Sequence, residues 1–175
     1  MDVDVIVEIP KGSRNKYEFD PRVGRIRLDR MLFSSTCYPS DYGFVPDTLA
    51  EDGDPIDALV LLDEPTFPGC VVRARVIAVF WMTDEEGPDA KLLCVPASDP
   101  RFARFQELED VPVYQISEIW HFFDIYKALE PGKSSATRGW ERRKEAVRAR
   151  EAARARFTQQ SGEPTLSRSD DVPVG

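Results

Sequence analysis

A single histidine and three widely spaced cysteines in 175 residues leave few soft or nitrogen ligands for chemistry. One histidine, His121, makes a Ser-His-Asp relay or a histidine-rich zinc centre a poor fit, and it reads as a helix residue packed between Trp120 and Phe122. Cys37, Cys70 and Cys94 are odd in number and form no CxxC pair, so they read as buried, reduced thiols rather than disulfides or a zinc site. Long apolar runs are also missing. None approaches the roughly 20 residues that span a bilayer, and MDVDVIVEIP opens with acids instead of a basic-then-apolar leader. The expectation is a cytoplasmic protein that avoids membranes. Basic residues are outnumbered 23 to 31, giving a net charge of −8, which argues against binding a nucleic-acid backbone. An anionic substrate stays possible, because a local cluster of cations, bound metal included, reverses the field inside a cleft.

What is present is one domain's worth of chain, 42% hydrophobic, with no internal repeat. Strand signals dominate the first 95 residues. Val3, Val5, Val7 and Ile9 alternate with Ile6 and Glu8, KYEFD and RIRLDRML continue the two-residue rhythm, and ALVLL, VVRARVIAVFWM and KLLCVP follow. Many short strands between Gly/Pro/Asp turns predict a barrel or strongly curved sheet. Helix signals take over near Ser98. SDPRFARFQEL reads as a short helix. ISEIWHFFDIYKALEPGK reads as a longer one, with Ile119, Phe122, Phe123, Tyr126 and Leu129 on one stripe and Pro131-Gly132 as its stop. GWERRKEAVRAREAARARFTQQ reads as a third, solvated helix held by i,i+4 ion pairs. Residues 1–160 form the expected domain and 161–175 a disordered tail.

The densest polar signal is EDGDPIDALVLLD, residues 51–63. Asp52, Asp54 and Asp57 crowd a glycine and a proline directly before an apolar strand, and like charges so close need a partner. The segment is no EF-hand: counted from Asp52, the glycine position holds Asp57 and the final glutamate position holds Asp63. An oxygen-only cluster selects a hard cation, so magnesium, or manganese in its place, is the expected metal. A second cluster, MTDEEGPDAK, supplies Asp84 and Asp89 with Lys91 just beyond. Magnesium keeps waters and completes its shell with phosphate oxygens, so a multi-carboxylate site implies a phosphate-bearing substrate. Cations for that substrate are available at Lys16, Arg30 and Lys127. Glu8, between Val7 and Ile9, either sits half exposed at a sheet edge or points into the metal-lined cleft. Tyr126 falls at a core-spaced position, and Tyr38 and Tyr42 bracket a turn in CYPSDY.

These segments resemble the soluble inorganic pyrophosphatases of the first class, most nearly their bacterial, actinobacterial-type members. The carriers are DGDPIDALV, IVEIPKGSRNKYEFD, LDRMLF, YPSDYGFVPDTL, MTDEEGPDAKLLCVP and HFFDIYKALEPGK, in order, over roughly residues 3–140. The resemblance implies a five-stranded OB-like barrel with α-helices packed outside, a homohexamer, and magnesium-dependent hydrolysis of pyrophosphate. It implies that Asp52, Asp57 and Asp89 hold the tighter metal, and that Asp84, Asp89 and Glu8 hold metals arriving with substrate. Asp54 takes the place of the general base. Lys16, Arg30, Tyr42, Lys91, Tyr126 and Lys127 hold the two phosphates, with Arg30, Tyr126 and Lys127 on the leaving side, and Glu18 and Tyr38 line the same cavity. The chain departs from the family pattern at Ser134-Ser135-Ala136, where a strand with basic, aromatic or β-branched residues is usual. Two rivals stand beside this reading: a magnesium-dependent hydrolase of nucleotides or organic phosphates, and a cation-binding module without catalysis.

Overall fold

The computed structural model describes residues 1–85 and 87–162. Among these described residues are eight strands and two α-helices: β1 (Asp2–Ile9), β2 (Asn15–Asp20), β3 (Arg25–Met31), β4 (Asp41–Phe44), β5 (Asp57–Val60), β6 (Val71–Asp84), β7 (Gly87–Pro96), α1 (Val113–Ile125), β8 (Ser135–Arg142) and α2 (Arg143–Gly162). The order β1-β4-β5-β7-β6 closes on itself because β6 also pairs with β1, so five strands ring a barrel. Closure removes the sheet edges that would otherwise template aggregation. The expected mostly-β fold, a five-stranded OB-like barrel with helices outside, is what the chain adopts. β8 adds to β6 outside the ring, and β2 with β3 forms a separate two-stranded sheet.

The alternation in β1 does what its sequence suggests: Val3, Val5, Val7 and Ile9 are all buried. β4 has a close constraint. A Cβ on Gly43 would lie 1.9 Å from the Ile6 carbonyl oxygen, so only glycine lets β4 approach β1 this nearly. Apolar side chains divide into two clusters. One, with Phe80, Leu93 and Val95, lies under Ile119, Phe122, Phe123 and Tyr126 of α1 and its cap. The other, with Val60, Val76 and Cys94, takes in Ala146 and Ala153 from α2, with Ala149 packed against it. Small alanines let this charged helix lie close to the barrel.

Several expectations need correction. The segment from Ser98 forms two short 3₁₀ turns, Pro100–Phe102 and Leu108–Asp110, the first capped by Asp99. α1 stops at Ile125, earlier than its stripe suggests, so Leu129 is 64% exposed. His121 is exposed on α1 and is not packed between its neighbours. Gly139–Arg142 belong to β8, not to the third helix. Pairing along β6, with the Trp140 ring 4.9 Å from that of Phe80, overrides the helical propensity of this Glu/Arg-rich stretch. One close pair, Arg148 with Glu145, runs along α2 at i,i+3, while Arg154 and Arg156 reach across to Asp47 and Glu51. Of the three thiols, Cys94 is buried, Cys70 is intermediate and Cys37 is exposed. No described helix is long and apolar enough to cross a membrane. The expected tail lies outside the described residues, apart from Ser161 and Gly162, which close α2.

Candidate active site

Hydrogen bonds within the chain shape the loop of residues 52–57. Asp52 Oδ1 accepts the Asp54 amide at 3.0 Å, and Gly53 adopts a φ of +97° that a side chain would resist. Ala50 N bonds the Asp54 carbonyl at 2.7 Å, and the loop's base is tied to α2 by Leu49 N on the Ala153 carbonyl at 2.9 Å. Arg156 adds bonds to the Leu49 carbonyl at 3.0 Å and to Glu51 at 3.1 Å. The segment leads straight into β5, whose first residue, Asp57, stands opposite Lys91 in parallel register with β7.

Barrel register then concentrates charge in one place. Asp89 and Lys91, two apart on β7, share a face, and the Lys91 ammonium donates to Asp57 at 2.7 Å, Asp89 at 2.7 Å and the Tyr42 hydroxyl at 2.8 Å. The Tyr42 hydroxyl also donates to Asp57. Lys91 is 2% exposed. Burial by itself would lower its pKa, but Asp57 and Asp89 outweigh burial and hold the ammonium protonated, with the pKa raised well above its ordinary value. Burial pushes the Asp89 carboxyl up against the opposing pull of Lys91, and burial likewise raises Asp52. Burial, then Asp57, raises the Tyr42 phenol well above its usual range, so it stays a hydrogen-bond donor.

This cluster forms the floor of an open cavity of about 540 Å³. Glu8 points into it, settling the alternatives left by its strand. Its Oε1 accepts the Phe19 amide at 2.6 Å, and burial, with a lesser push from Asp57, raises the carboxyl to about 7. Asp52, Asp54, Asp57, Asp84 and Asp89 line the same cavity. So do Lys16 and Glu18, which are ion-paired, and Arg30, which faces Lys16 across the β2–β3 hairpin. Tyr126 and Lys127 reach it from the turn after α1. Lys127 Nζ donates to Asp84 at 2.9 Å and to Glu85 at 3.1 Å; burial opposes its charge, yet its pKa is raised by Tyr126, Asp84 and Glu85. The unusual Ser134–Ala136 stretch does not disturb this contact. β8 forms through Ser135, whose hydroxyl donates to the Phe123 carbonyl at 2.9 Å.

One expected lining residue is elsewhere. Tyr38 is 2% exposed and is not among the described residues that line the cavity. Its ring lies 5.4 Å from that of Tyr42 and 4.7 Å from Phe122, so it backs the Tyr42 ring from inside the core. Four groups missing from the sequence reading belong to the site. Asp29 ion-pairs with Lys16 and Arg30, Glu130 pairs with Arg30, and Glu85 and Lys133 join the cavity wall. A signal for Glu130 was available only on the expectation that the helix runs to Pro131-Gly132, since an acid in the last turn of such a helix is disfavoured by its dipole.

Among the described residues, eight acidic and five basic side chains line the cavity, so they offer an anion a net negative wall. Among the described residues no three acidic, histidine or cysteine side chains close into a cluster that holds an ion as they stand, and the Lys91 ammonium supplies the positive charge between Asp57 and Asp89. The donor set still fits a hard divalent cation: the lining carboxylates are in excess of their basic partners, burial disfavours their charge at Asp52 and Asp89, and no softer ligand lines the cavity.

Comparison with known proteins agrees with this geometry. The sequence model of the family described as Inorganic pyrophosphatase matches residues 5–158. An inorganic pyrophosphatase of Streptomyces coelicolor is 59% identical over 162 residues, covering 93% of this chain and 99% of that protein. One from Methanosarcina acetivorans is 53% identical over 157 residues, covering 90% and 93%. The crystal structure of inorganic pyrophosphatase from Thermus thermophilus superposes with a TM-score of 0.88 at 49% identity, covering 90% of this chain and 91% of that one. A closed barrel carrying acids and bases on one wall, matched along nearly all its length, places this chain in the inorganic pyrophosphatase family.

Proposed function

We propose that residues 1–160 are the catalytic unit of a magnesium-dependent inorganic diphosphatase, with manganese as a substitute ion, that splits pyrophosphate into two phosphates. The observation that carries this reading is the Lys91 ammonium buried among Asp57, Asp89 and Tyr42 at the floor of a cavity whose wall also bears Lys16, Arg30 and Lys127. Carboxylates for cations and bases for phosphate oxygens occupy one space, as a metal-complexed diphosphate requires.

Asp52, Asp57 and Asp89 would hold the tighter cation, and Glu8, Asp84 and Asp89 those that accompany the substrate. A divalent ion held by these residues would supply charge neutralisation for the phosphates and would make a water more acidic. Asp54 lines the cavity and accepts the proton of the attacking water. Lys16, Arg30, Tyr42 and Lys91 orient the two phosphates, and Glu18 holds the Lys16 ammonium in place. Tyr126 and Lys127, with Arg30, stabilise charge building on the departing phosphate. Tyr38 supports the site through Tyr42. Assembly as a homohexamer in the cytoplasm belongs to the same reading, and exposed apolar side chains such as Val113 and Tyr114 offer surface for contacts between copies.

The test is phosphate release from pyrophosphate in magnesium, with and without a chelator, beside release from a nucleoside triphosphate. Chelator-sensitive release confined to pyrophosphate supports the reading. Equal release from both substrates favours a broader phosphohydrolase, and no release in excess magnesium favours a cation-binding module.

A further inference from the structure

Glu130 stands in the turn that follows α1, where a carboxylate gains nothing locally. Taking a carboxylate out of water is costly unless it is well paired. The side chain is nonetheless only 3% exposed, with Oε2 2.7 Å from Arg30 Nη2. The contact is an ion pair without an aligned hydrogen bond, and neither Arg30 Nε nor Glu130 Oε1 has a hydrogen-bond partner among the described residues. A buried, half-satisfied ion pair is weak support for folding stability. Unsatisfied buried polar atoms ask for another reason.

The placement of the pair supplies one. Arg30 comes from the β2–β3 hairpin, whose strands form a sheet apart from the barrel sheet. Glu130 comes from the turn that also carries Tyr126 and Lys127, and its amide bonds the Lys127 carbonyl at 2.9 Å. Arg30 lines the cavity and Glu130 does not. The guanidinium is a planar fork, with Nη1 on Asp29 of its own strand and Nη2 beside Glu130. Its plane is therefore set jointly by the hairpin and by the turn after α1.

We propose that Glu130 is a positioning residue: acting through Arg30, it fixes the guanidinium relative to Tyr126 and Lys127, so that groups from two separate elements meet one diphosphate together. This rests on Arg30 as a phosphate-holding group. Glu130 itself touches no substrate. Displacing a reacting group by about 1 Å costs on the order of 100-fold in rate, so a distant carboxylate that sets one guanidinium has a large lever.

The test measures kcat and KM for magnesium pyrophosphate in the full chain carrying Glu130→Gln, Arg30→Ala, or both. Glu130→Gln is expected to lower kcat about 10- to 100-fold with KM changed by less than about threefold, while circular dichroism stays native. In the Arg30→Ala background the same change is expected to alter kcat/KM by less than about twofold, because the group it acts through is gone. Wild-type-like kcat for Glu130→Gln, or losses that multiply in the double variant, overturns the proposal. Should Glu130→Gln not fold, Glu130→Asp, alone and with Arg30→Ala, takes its place: non-multiplying losses support the proposal, and multiplying losses or no loss overturn it. Unchanged kcat/KM in Arg30→Ala overturns the assignment of Arg30 and the proposal with it, an outcome distinct from failure at Glu130 alone.

Discussion

Asp57 on β5 and Lys91 on β7 stand opposite one another in parallel register, and the lysine Nζ lies 2.7 Å from the aspartate Oδ2. The same ammonium reaches Asp89 at 2.7 Å. One cation therefore balances two carboxylates in a largely buried position. Lys91→Met would leave both acids without it. Removing one partner from a buried ion pair costs about 3–5 kcal/mol, so urea unfolding in chelator should show a loss on that scale. Magnesium should return part of it by occupying the same charge. A variant as stable as wild type in chelator would remove Lys91 from this role.

Asp54 occupies the tip of the loop, with its amide on Asp52 and its carbonyl taken by Ala50. Neither bond uses its carboxylate, so Asp54→Asn should leave folding and magnesium titration largely intact. Turnover of pyrophosphate should fall at least ~100-fold, the scale of general-base loss. Wild-type turnover by Asp54→Asn would exclude the general-base assignment.

Glu8 gives the metal-free protein a pH signature. Burial raises its carboxyl from the ordinary 4.5 to about 7, so the folded state holds this proton more tightly than the unfolded chain. Below 4.5 both states are protonated and Glu8 has no differential effect. Stability falls as pH rises from there to about 7, by about 3 kcal/mol in all, and then levels. Denaturation of chelated wild type and Glu8→Gln across pH 5 to 8 should show the wild type losing ground to the variant. Parallel curves would contradict the burial of a titrating Glu8.

Gly43 tests the barrel itself. An added Cβ meets the Ile6 carbonyl oxygen at 1.9 Å, and that atom belongs to backbone that cannot swing aside. Gly43→Ala should cost about 3 kcal/mol or more by forcing β4 from β1, in the range of overpacking and strain effects. Thermal unfolding measures it directly, and a melting temperature within a degree or two of wild type would show that the strands have room.

Much of this molecule is legible along the chain. The alternation Val3, Val5, Val7, Ile9 marks a buried strand face, and the stripe from Ile119 to Tyr126 marks the packed side of α1. Both patterns are local and repeat with the period of the backbone, so neighbours in sequence carry the information. β4 was hidden because DYGF is only four residues long and is buried throughout, its aspartate included. β8 was hidden for another reason: Glu141 and Arg142 are good helix formers that lead straight into α2, and pairing along the open flank of β6 turns them into a strand.

The sequence by itself determined the chemical inventory: carboxylates without histidine or thiolate companions, a handful of bases, and a glycine–proline turn that holds Asp52 and Asp54 together. Tertiary structure alone decided which charges meet. Lys91 lies 34 residues from Asp57, and Arg30 pairs with Glu130 from the far end of the domain. Contacts of that kind are set by strand register and barrel closure, which depend on the whole packed core rather than on any one segment, and so no stretch of sequence spells them out.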